Sequence, residues 1–366
     1  MKLVILADPL DNQNAGIHVY TREMINALVR KNREHEIIVI RENYDPALKG
    51  VKQVTLPNTR LPIGFASLRL FFLIPVIVRW LKADVVIEPA HFGPFNMPKT
   101  IKRVTIIHDL TPILFPRLHR WHSQMLQKIF LSGILKKADR IITNSDYTFN
   151  DVCKYYPVTC DKMVRIYPGV SAELEHSASG NKLDSFGIHK PFFLNVGTIE
   201  PRKNLVELLK SFQLFCEENG EKMQLVITGG EGWKYEDFRS ALNTFPFREQ
   251  VILTGYVPDE DLSVLYRNCV AMVYPSLYEG FGLPVVEAMS CGAAVITSRV
   301  SSLPEAGGSA ALYYLPGDAS ELASLMKEVA HNEELRQSLK ARSVDHSKTF
   351  SWDYFGEQLW DALDKV

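Results

Sequence analysis

Two glutamates eight positions apart, Glu279 and Glu287, flank the run Gly280-Phe281-Gly282-Leu283-Pro284. A strand that empties through glycines into a helix makes an anion site, because the first helical N–H groups lack intrahelical partners and the macrodipole is positive there. Gly280 and Gly282 leave the backbone open to close approach. Pro284 suits the first helical turn, where it forfeits no hydrogen bond. The chemistry implied is the holding of an anion, with a carboxylate on either side to accept hydroxyls.

A second basic loop offers the matching charge. In Gly197-Thr198-Ile199-Glu200-Pro201-Arg202-Lys203-Asn204, Arg202 presents a planar fork of donors and Lys203 a compact charge, a pairing suited to a diphosphate. A solvated surface patch is the plainer alternative. Three further loops follow strand-like runs and could meet a ligand. Gly16 opens a helix after the first strand, His108-Asp109 follows residues 104–107, and Gly255-Tyr256-Val257 offers backbone to a base edge, with Tyr256 either stacked on the base or buried. Thr228-Gly229-Gly230-Glu231-Gly232 lacks the glycine spacing of a dinucleotide fingerprint and is read as a tight turn.

These loops need strands to hold them. β-rich runs at 2–7, 36–41, 51–56, 84–88, 104–107, 140–144 and 163–167 alternate with helical stretches at 16–31, 65–81, 119–137 and 145–155. A second alternation has strands at 192–196, 224–228, 251–254, 270–274 and 294–297, and a helix at 319–330 with Leu322, Leu325, Met326 and Val329 on one face. The pattern is α/β, with two doubly wound parallel sheets whose ligands belong at the carboxyl ends of the strands. The expected divisions are 1–170, a turn-rich linker 171–190, 191–349, and a terminal segment 350–366. If the two domains face each other, the ligand loops meet in a cleft.

Composition removes other classes. Lys+Arg 41 against Asp+Glu 42 leaves a net charge of -1, so no global field recruits nucleic acid. Five cysteines, Cys153, Cys160, Cys216, Cys269 and Cys291, show no metal-type pairing and are expected as reduced thiols of a cytosolic protein. No Asp-x-Asp pair stands at a strand end, so no metal and no cofactor are expected. The apolar stretch 65–81 is interrupted by Arg69, Pro75 and Arg79, which suits a core helix or an interfacial helix whose arginines meet anionic lipid, not a span.

Taken together, Gly16, His108-Asp109, the run from Gly197 to Asn204, Gly255-Tyr256-Val257, Ser301-Ser302-Leu303-Pro304-Glu305 and the Glu279–Glu287 motif resemble the family 4 glycosyltransferases, retaining enzymes of the GT-B fold. The resemblance covers nearly the whole chain. It implies that Glu287 bonds the donor ribose and Glu279 the transferred sugar, while the amides of Phe281, Gly282 and Leu283 hold sugar and phosphate. Gly197, Thr198, Tyr256 and Val257 would line the donor site, Arg202 and Lys203 would neutralise the leaving diphosphate, Gly16 would touch it, and His108 would lie near the reacting sugar. Asp109 would meet the acceptor, and the last helix, 352–365, would cross back onto the first domain.

The phrases around His108 and Arg202 look most like bacterial polysaccharide mannosyltransferases. GDP-mannose is then the favoured donor, with a UDP-hexose or dTDP-rhamnose as alternatives. The acceptor expected is a glycan, free or lipid-linked, met by a cytoplasmic protein that touches the inner face of the membrane through Arg69, Arg79 or the basic stretch 117–137. Three other readings stay open: a glycoside hydrolase using Glu279 and Glu287, a sugar-nucleotide epimerase, and a silent nucleotide-sugar-binding subunit.

Overall fold

Strands rich in Val, Ile and Leu without alternation are buried on both faces, as a parallel sheet covered by helices requires. The computed structural model describes all residues except 13–14, 57–68, 91–92, 94, 117–120, 172–173, 175–181 and 220–222. Met1–Pro116, Trp121–Gly169 and Ser351–Val366 form one unit, and Val170–Phe350 the other.

The first unit carries β1 (Lys2–Leu6), β2 (Glu36–Arg41), β3 (Lys52–Thr55), β4 (Val85–Glu88), β5 (Lys102–Ile107), β6 (Arg140–Thr143) and β7 (Met163–Arg165). They form one sheet in the order β3-β2-β1-β4-β5-β6-β7, every pair parallel. The second unit carries β8 (Phe192–Val196), β9 (Gln224–Thr228), β10 (Val251–Gly255), β11 (Ala271–Tyr274), β12 (Val295–Ser298) and β13 (Ala311–Tyr314). Their order is β10-β9-β8-β11-β12-β13, again all parallel. Strand order reverses between β1 and β4, and between β8 and β11. At such a switch point the flanking loops part and open a crevice beyond the strand ends.

The terminal helix Trp352–Leu363 starts at Ser351, whose hydroxyl accepts the amide of Asp353 at 3.2 Å. Its apolar face of Trp352, Phe355, Leu359, Trp360 and Leu363 joins the core of the first unit with Leu3, Ile5, Tyr20, Met24 and Leu28. The indole of Trp360 is fully buried and donates to the Leu28 carbonyl at 3.1 Å. Pairs such as Arg33–Asp361 surround this contact but are exposed and weak.

Several expectations change. Arg69 does not face lipid: it is buried, and its guanidinium grips both carboxylate oxygens of Asp8 at 2.6 and 2.7 Å. An arginine within an apolar stretch found a partner at the end of β1, 61 positions away, which linear sequence hides. Cys153 and Cys160 are joined in a disulfide, while Cys216, Cys269 and Cys291 are free and buried. The turn Pro157–Lys162 doubles the chain back on the helix Asp146–Tyr155 and brings the two Cα atoms to 5.3 Å, within bridging reach. The edge strand β13 and the helix Glu333–Ser347 are additional elements. The stretch expected as a helix at 65–81 is described from Arg69, where it opens as a π turn (Arg69–Leu73) and continues as the helix Ile74–Trp80; residues 57–68 lie outside the described residues, as do 117–120 before the helix Trp121–Lys137. Among the described residues no helix is long and apolar enough to cross a membrane.

Replacing Trp360 by Ala removes a large buried side chain and strands the Leu28 carbonyl. We expect a loss of about 3–5 kcal/mol in urea unfolding, against less than about 0.5 kcal/mol for Arg33→Ala.

Candidate functional site

Adjacent strands β8 and β11 deliver two loops to the switch point of the second sheet. Asn195 in β8 donates its buried amide to the Val273 carbonyl in β11 at 2.8 Å and ties the two strands together just below their ends. Beyond β8 the loops are stitched side by side, Gly197 N donating to Thr228 O and Gly229 N to Gly255 O, both at 2.8 Å. Gly229 has φ +143°, and a Cβ there would lie 2.1 Å from the Gly197 carbonyl oxygen. The glycines of 229–232 therefore serve loop packing, in keeping with a tight turn.

A single 3-10 turn, Pro201–Lys203, aims the two cations. Asn204 ends it in the left-handed conformation, and the helix Leu205–Asn219 follows directly. Lys203 is buried and donates to Glu279 Oε1 at 2.7 Å and to the hydroxyl of Tyr274. That hydroxyl in turn donates to the same oxygen at 3.0 Å. Arg202 reaches Glu279 Oε2 with Nη1 at 2.5 Å and Glu200 Oε1 with Nη2 at 2.5 Å. The backbone of Glu279 is held too: its amide donates to Ser301 Oγ and its carbonyl accepts from Ser302 Oγ, both at 2.8 Å.

Glu279 is thus a buried carboxylate between two cations. Burial alone would raise its pKa, but the charges of Arg202 and Lys203 outweigh burial and hold it at about 2. Burial lowers Lys203, with Arg202 adding to the fall and Glu279 opposing it. Glu200 is raised by burial against the pull of Arg202 and Lys203, and its Oε2 is buried without a hydrogen-bond partner among the described residues. In this arrangement Glu279 already supplies the negative charge that two cations at a strand end attract. A multivalent anion would compete for the same guanidinium and ammonium groups.

The second glutamate has different surroundings. The helix Leu283–Ser290 starts from Gly282 at φ +104°, where a Cβ would press to 2.8 Å of Leu303, and no side chain caps it. Phe281 is buried edge-on against Phe350 at 5.3 Å, and Leu283 is half-buried. A turn further on, Glu287 is half-buried and accepts from Tyr266 OH at 3.2 Å. Burial, with Asp259 adding its charge, pushes the Glu287 carboxyl up to about 7. One carboxylate is locked in its ionised form and the other is poised near neutrality.

The remaining expected residues fall as follows. Thr198 is half-buried against the place where a side chain on Gly232 would lie, and Gly197 stands next to the Lys203 side chain. Val257 is buried, whereas Tyr256 is 80% exposed, which removes the buried alternative for that ring. In the first unit, His108 directly follows β5; its Nε2 donates to the Pro89 carbonyl at 2.7 Å, its ring stands edge-on to Tyr20, and burial lowers its pKa, so it is a neutral imidazole near pH 7. Asp109 accepts the Thr111 amide at 2.9 Å and turns the chain into the helix Thr111–Leu114. Gly16 is exposed in the first turn of the helix Ala15–Arg30, with open space where a Cβ would be. Tyr274, Glu200 and the two serines received no role from the sequence. Their signal was position, at strand ends or within quoted motifs, and the hydrogen bonds that recruit them span up to 71 positions.

Glu279→Gln leaves Lys203 buried without its carboxylate partner and Arg202 with Glu200 alone. We expect a loss of about 3 kcal/mol or more, with pyrophosphate raising the melting temperature of the variant more than that of the wild type. The carboxylate's own contribution is present above its ordinary pKa and is lost as the pH falls from about 4.5 toward 2, so acid unfolding of the wild type steepens in that window and that of the variant does not.

The family model described as glycosyl transferases group 1 matches residues 184–345, and that of Glycosyltransferase Family 4 matches 15–174. Over 379 aligned residues, 99% of each chain, the protein is 28% identical to O-antigen chain mannosyltransferase B of Escherichia coli. Sucrose-phosphate synthase from Thermosynechococcus elongatus superposes with a TM-score of 0.80 at 17% identity, covering 100% of this chain and 98% of that one. WaaG, a glycosyltransferase involved in lipopolysaccharide biosynthesis, superposes with a TM-score of 0.75 at 13% identity over 99% of each chain. The structural likenesses establish the fold as GT-B. One family match spans all of β8–β13 and the other spans β2–β7, and with both halves accounted for the chain belongs to the family 4, group 1 glycosyltransferases.

Proposed function

We propose that this glycosyltransferase moves mannose from GDP-mannose, with retention, onto a glycan carried on a lipid at the inner face of a bacterial membrane. The observation that carries the reaction type is the buried trio of Arg202, Lys203 and Glu279 at the switch point of the second sheet. Mannose is supported by the name of the 28% identical relative that aligns over 99% of its length.

In the proposed reaction the bond from the sugar C1 to the phosphate oxygen breaks, and its electron pair leaves on the diphosphate. The acceptor hydroxyl oxygen bonds C1 on the same face, and its proton passes to the departing phosphate oxygen. Charge therefore grows on the diphosphate, and the largest contribution a protein can make is a set of fixed donors aimed at that charge. Arg202, Lys203 and the uncapped amides at Gly282 and Leu283 fill that role. The diphosphate would share the cations now neutralised by Glu279, freeing that carboxylate to accept sugar hydroxyls. Glu287 accepts the ribose hydroxyls, Gly197, Thr198, Tyr256 and Val257 border the nucleotide, and Phe281 contributes its amide. Within the first unit, the open helix start at Gly16 and the neutral imidazole of His108 beside the carboxylate of Asp109 after β5 keep the roles that the family resemblance gives them. With two cations and a helix start meeting the charge, we propose that no divalent metal is needed.

The test pairs GDP-mannose with a lipid-linked glycan acceptor and follows GDP release together with acceptor mannosylation. Stoichiometric release, unaffected by EDTA, is expected, and Arg202→Ala and Lys203→Ala should each lower kcat by about a hundredfold or more. Wild-type turnover in both variants would end the site assignment, and donor conversion without acceptor would end the transferase reading.

Donor affinity should also depend on pH. Glu287 with a raised pKa favours the folded state at low pH and loses that effect as the pH rises through about 7. Ribose hydroxyls donating to it stabilise the ionised form, so GDP affinity should fall below pH 7 by up to about tenfold per unit. Calorimetry on Glu287→Gln should show weak binding with that slope absent.

A further inference from the structure

The segment Arg69–Trp80 has two faces. Ile74 and Val78 pack on the first sheet with Val4, Leu6, Ile38 and Ile40, whereas Phe72, Val76 and Trp80 on the other face are 61%, 65% and 76% exposed. Leu73 joins that outer stripe, and Arg79 and Lys82 are exposed at its end. Large apolar side chains at i, i+4 and i+8 gain nothing from water, and a stripe of them signals something that covers it.

The stripe is not isolated. Phe71 stacks on Phe95 at 4.2 Å, and Phe130 of the helix Trp121–Lys137 meets both rings at 5.8 and 5.4 Å. That helix exposes Met125 and Ile129 one turn apart, with Lys128, Lys136 and Lys137 around them. Beside it lies a hollow lined by Phe95, Ile129, Phe130 and Ile134 together with Arg103 and Lys137. The charges carried by these two segments have one sign. Neither 69–82 nor 121–137 contains an Asp or Glu, although the chain as a whole has a net charge of -1. Arg69 is withdrawn from this face to the carboxylate of Asp8.

We infer that this face of the first unit rests on a bilayer of anionic phospholipid, with Phe72, Val76 and Trp80 inserted at headgroup depth and Arg79, Lys82 and Lys128 over lipid phosphates. Aromatic and aliphatic side chains on one face with cations beside them are what an in-plane interfacial contact needs. A second copy of the chain is disfavoured as the occupant, since two such faces would bring cation against cation. The arginine that meets lipid is Arg79 rather than Arg69. The inference stands on this face alone and does not depend on which sugar is transferred.

Flotation of the full chain with vesicles tests it. Wild-type protein should float with phosphatidylglycerol–phosphatidylcholine vesicles and not with pure phosphatidylcholine, and 0.5 M salt should weaken the binding, given a Debye length shorter than about 5 Å there. Val76→Ser with Trp80→Ser should lower vesicle affinity by about tenfold or more, and Arg79→Glu with Lys128→Glu likewise by about tenfold or more. Because all four residues are exposed, melting temperatures and GDP affinity should stay at wild-type values in both double variants. Equal flotation on neutral and anionic vesicles, unchanged binding in both variants, or a wild-type dimer that Val76→Ser with Trp80→Ser converts to monomer would each overturn the inference. Flotation without mannosyl transfer would leave this face assigned and remove only the catalytic reading.

Discussion

A carboxylate can be buried only if charge meets it, and the second unit is arranged around meeting Glu279. Arg202 and Lys203 do so from a turn three residues long, with Tyr274 bridging from the end of β11. That meeting requires β8 and β11 to be neighbours although 74 residues separate Val196 from Ala271 in sequence order. Parallel connections place them side by side and turn both loops to the same edge. If one partner is removed the others remain as uncompensated buried charge, so the trio acts as a unit.

The two glutamates of the motif show how environment separates identical groups. Glu279 has two cations that outweigh its burial and hold it at about 2; Glu287 is raised by burial, with the charge of Asp259 adding and the Tyr266 hydrogen bond opposing, and stands near 7. Neither arrangement resembles the acid and nucleophile of a glycoside hydrolase, in which the raised group protonates a leaving oxygen across from an ionised partner. Here the ionised carboxylate is covered by Arg202 and Lys203 and is not open as a nucleophile. The helix start between them, uncapped at Gly282, supplies the positive end of a dipole.

The first unit uses the same sheet for different ends. Its core is completed by the last helix, through Trp352, Phe355 and Trp360. The ends of β1 and β2 carry a buried ionic network of Asp8, Arg69, Asp11 and Arg41, with Arg41 Nη2 at 3.0 Å from Asp11. Burying two arginines in this way fixes the chain around β1 while leaving the opposite side of 69–80 apolar and outward.

The strand runs, their parallel character and the loops at the strand ends were legible in the amino-acid order, because buried parallel strands read as unbroken β-branched runs and strand-to-helix turns carry glycine and proline. So were the apolar face of 319–330 and the residues Arg202, Lys203, Glu279 and Glu287. What the linear order did not hold was partnership. That Tyr274 and Glu200 belong with Arg202 and Lys203, that Arg69 turns inward to Asp8 while Arg79 stays out, and that Cys153 meets Cys160 all depend on where chain reversals bring side chains. Hydrogen bonds and ion pairs act over a few ångströms, and only the folded chain sets those distances. The pKa values follow the same rule: two glutamates eight apart are chemically equal in the sequence, and burial and neighbouring charge make one ionised and the other poised.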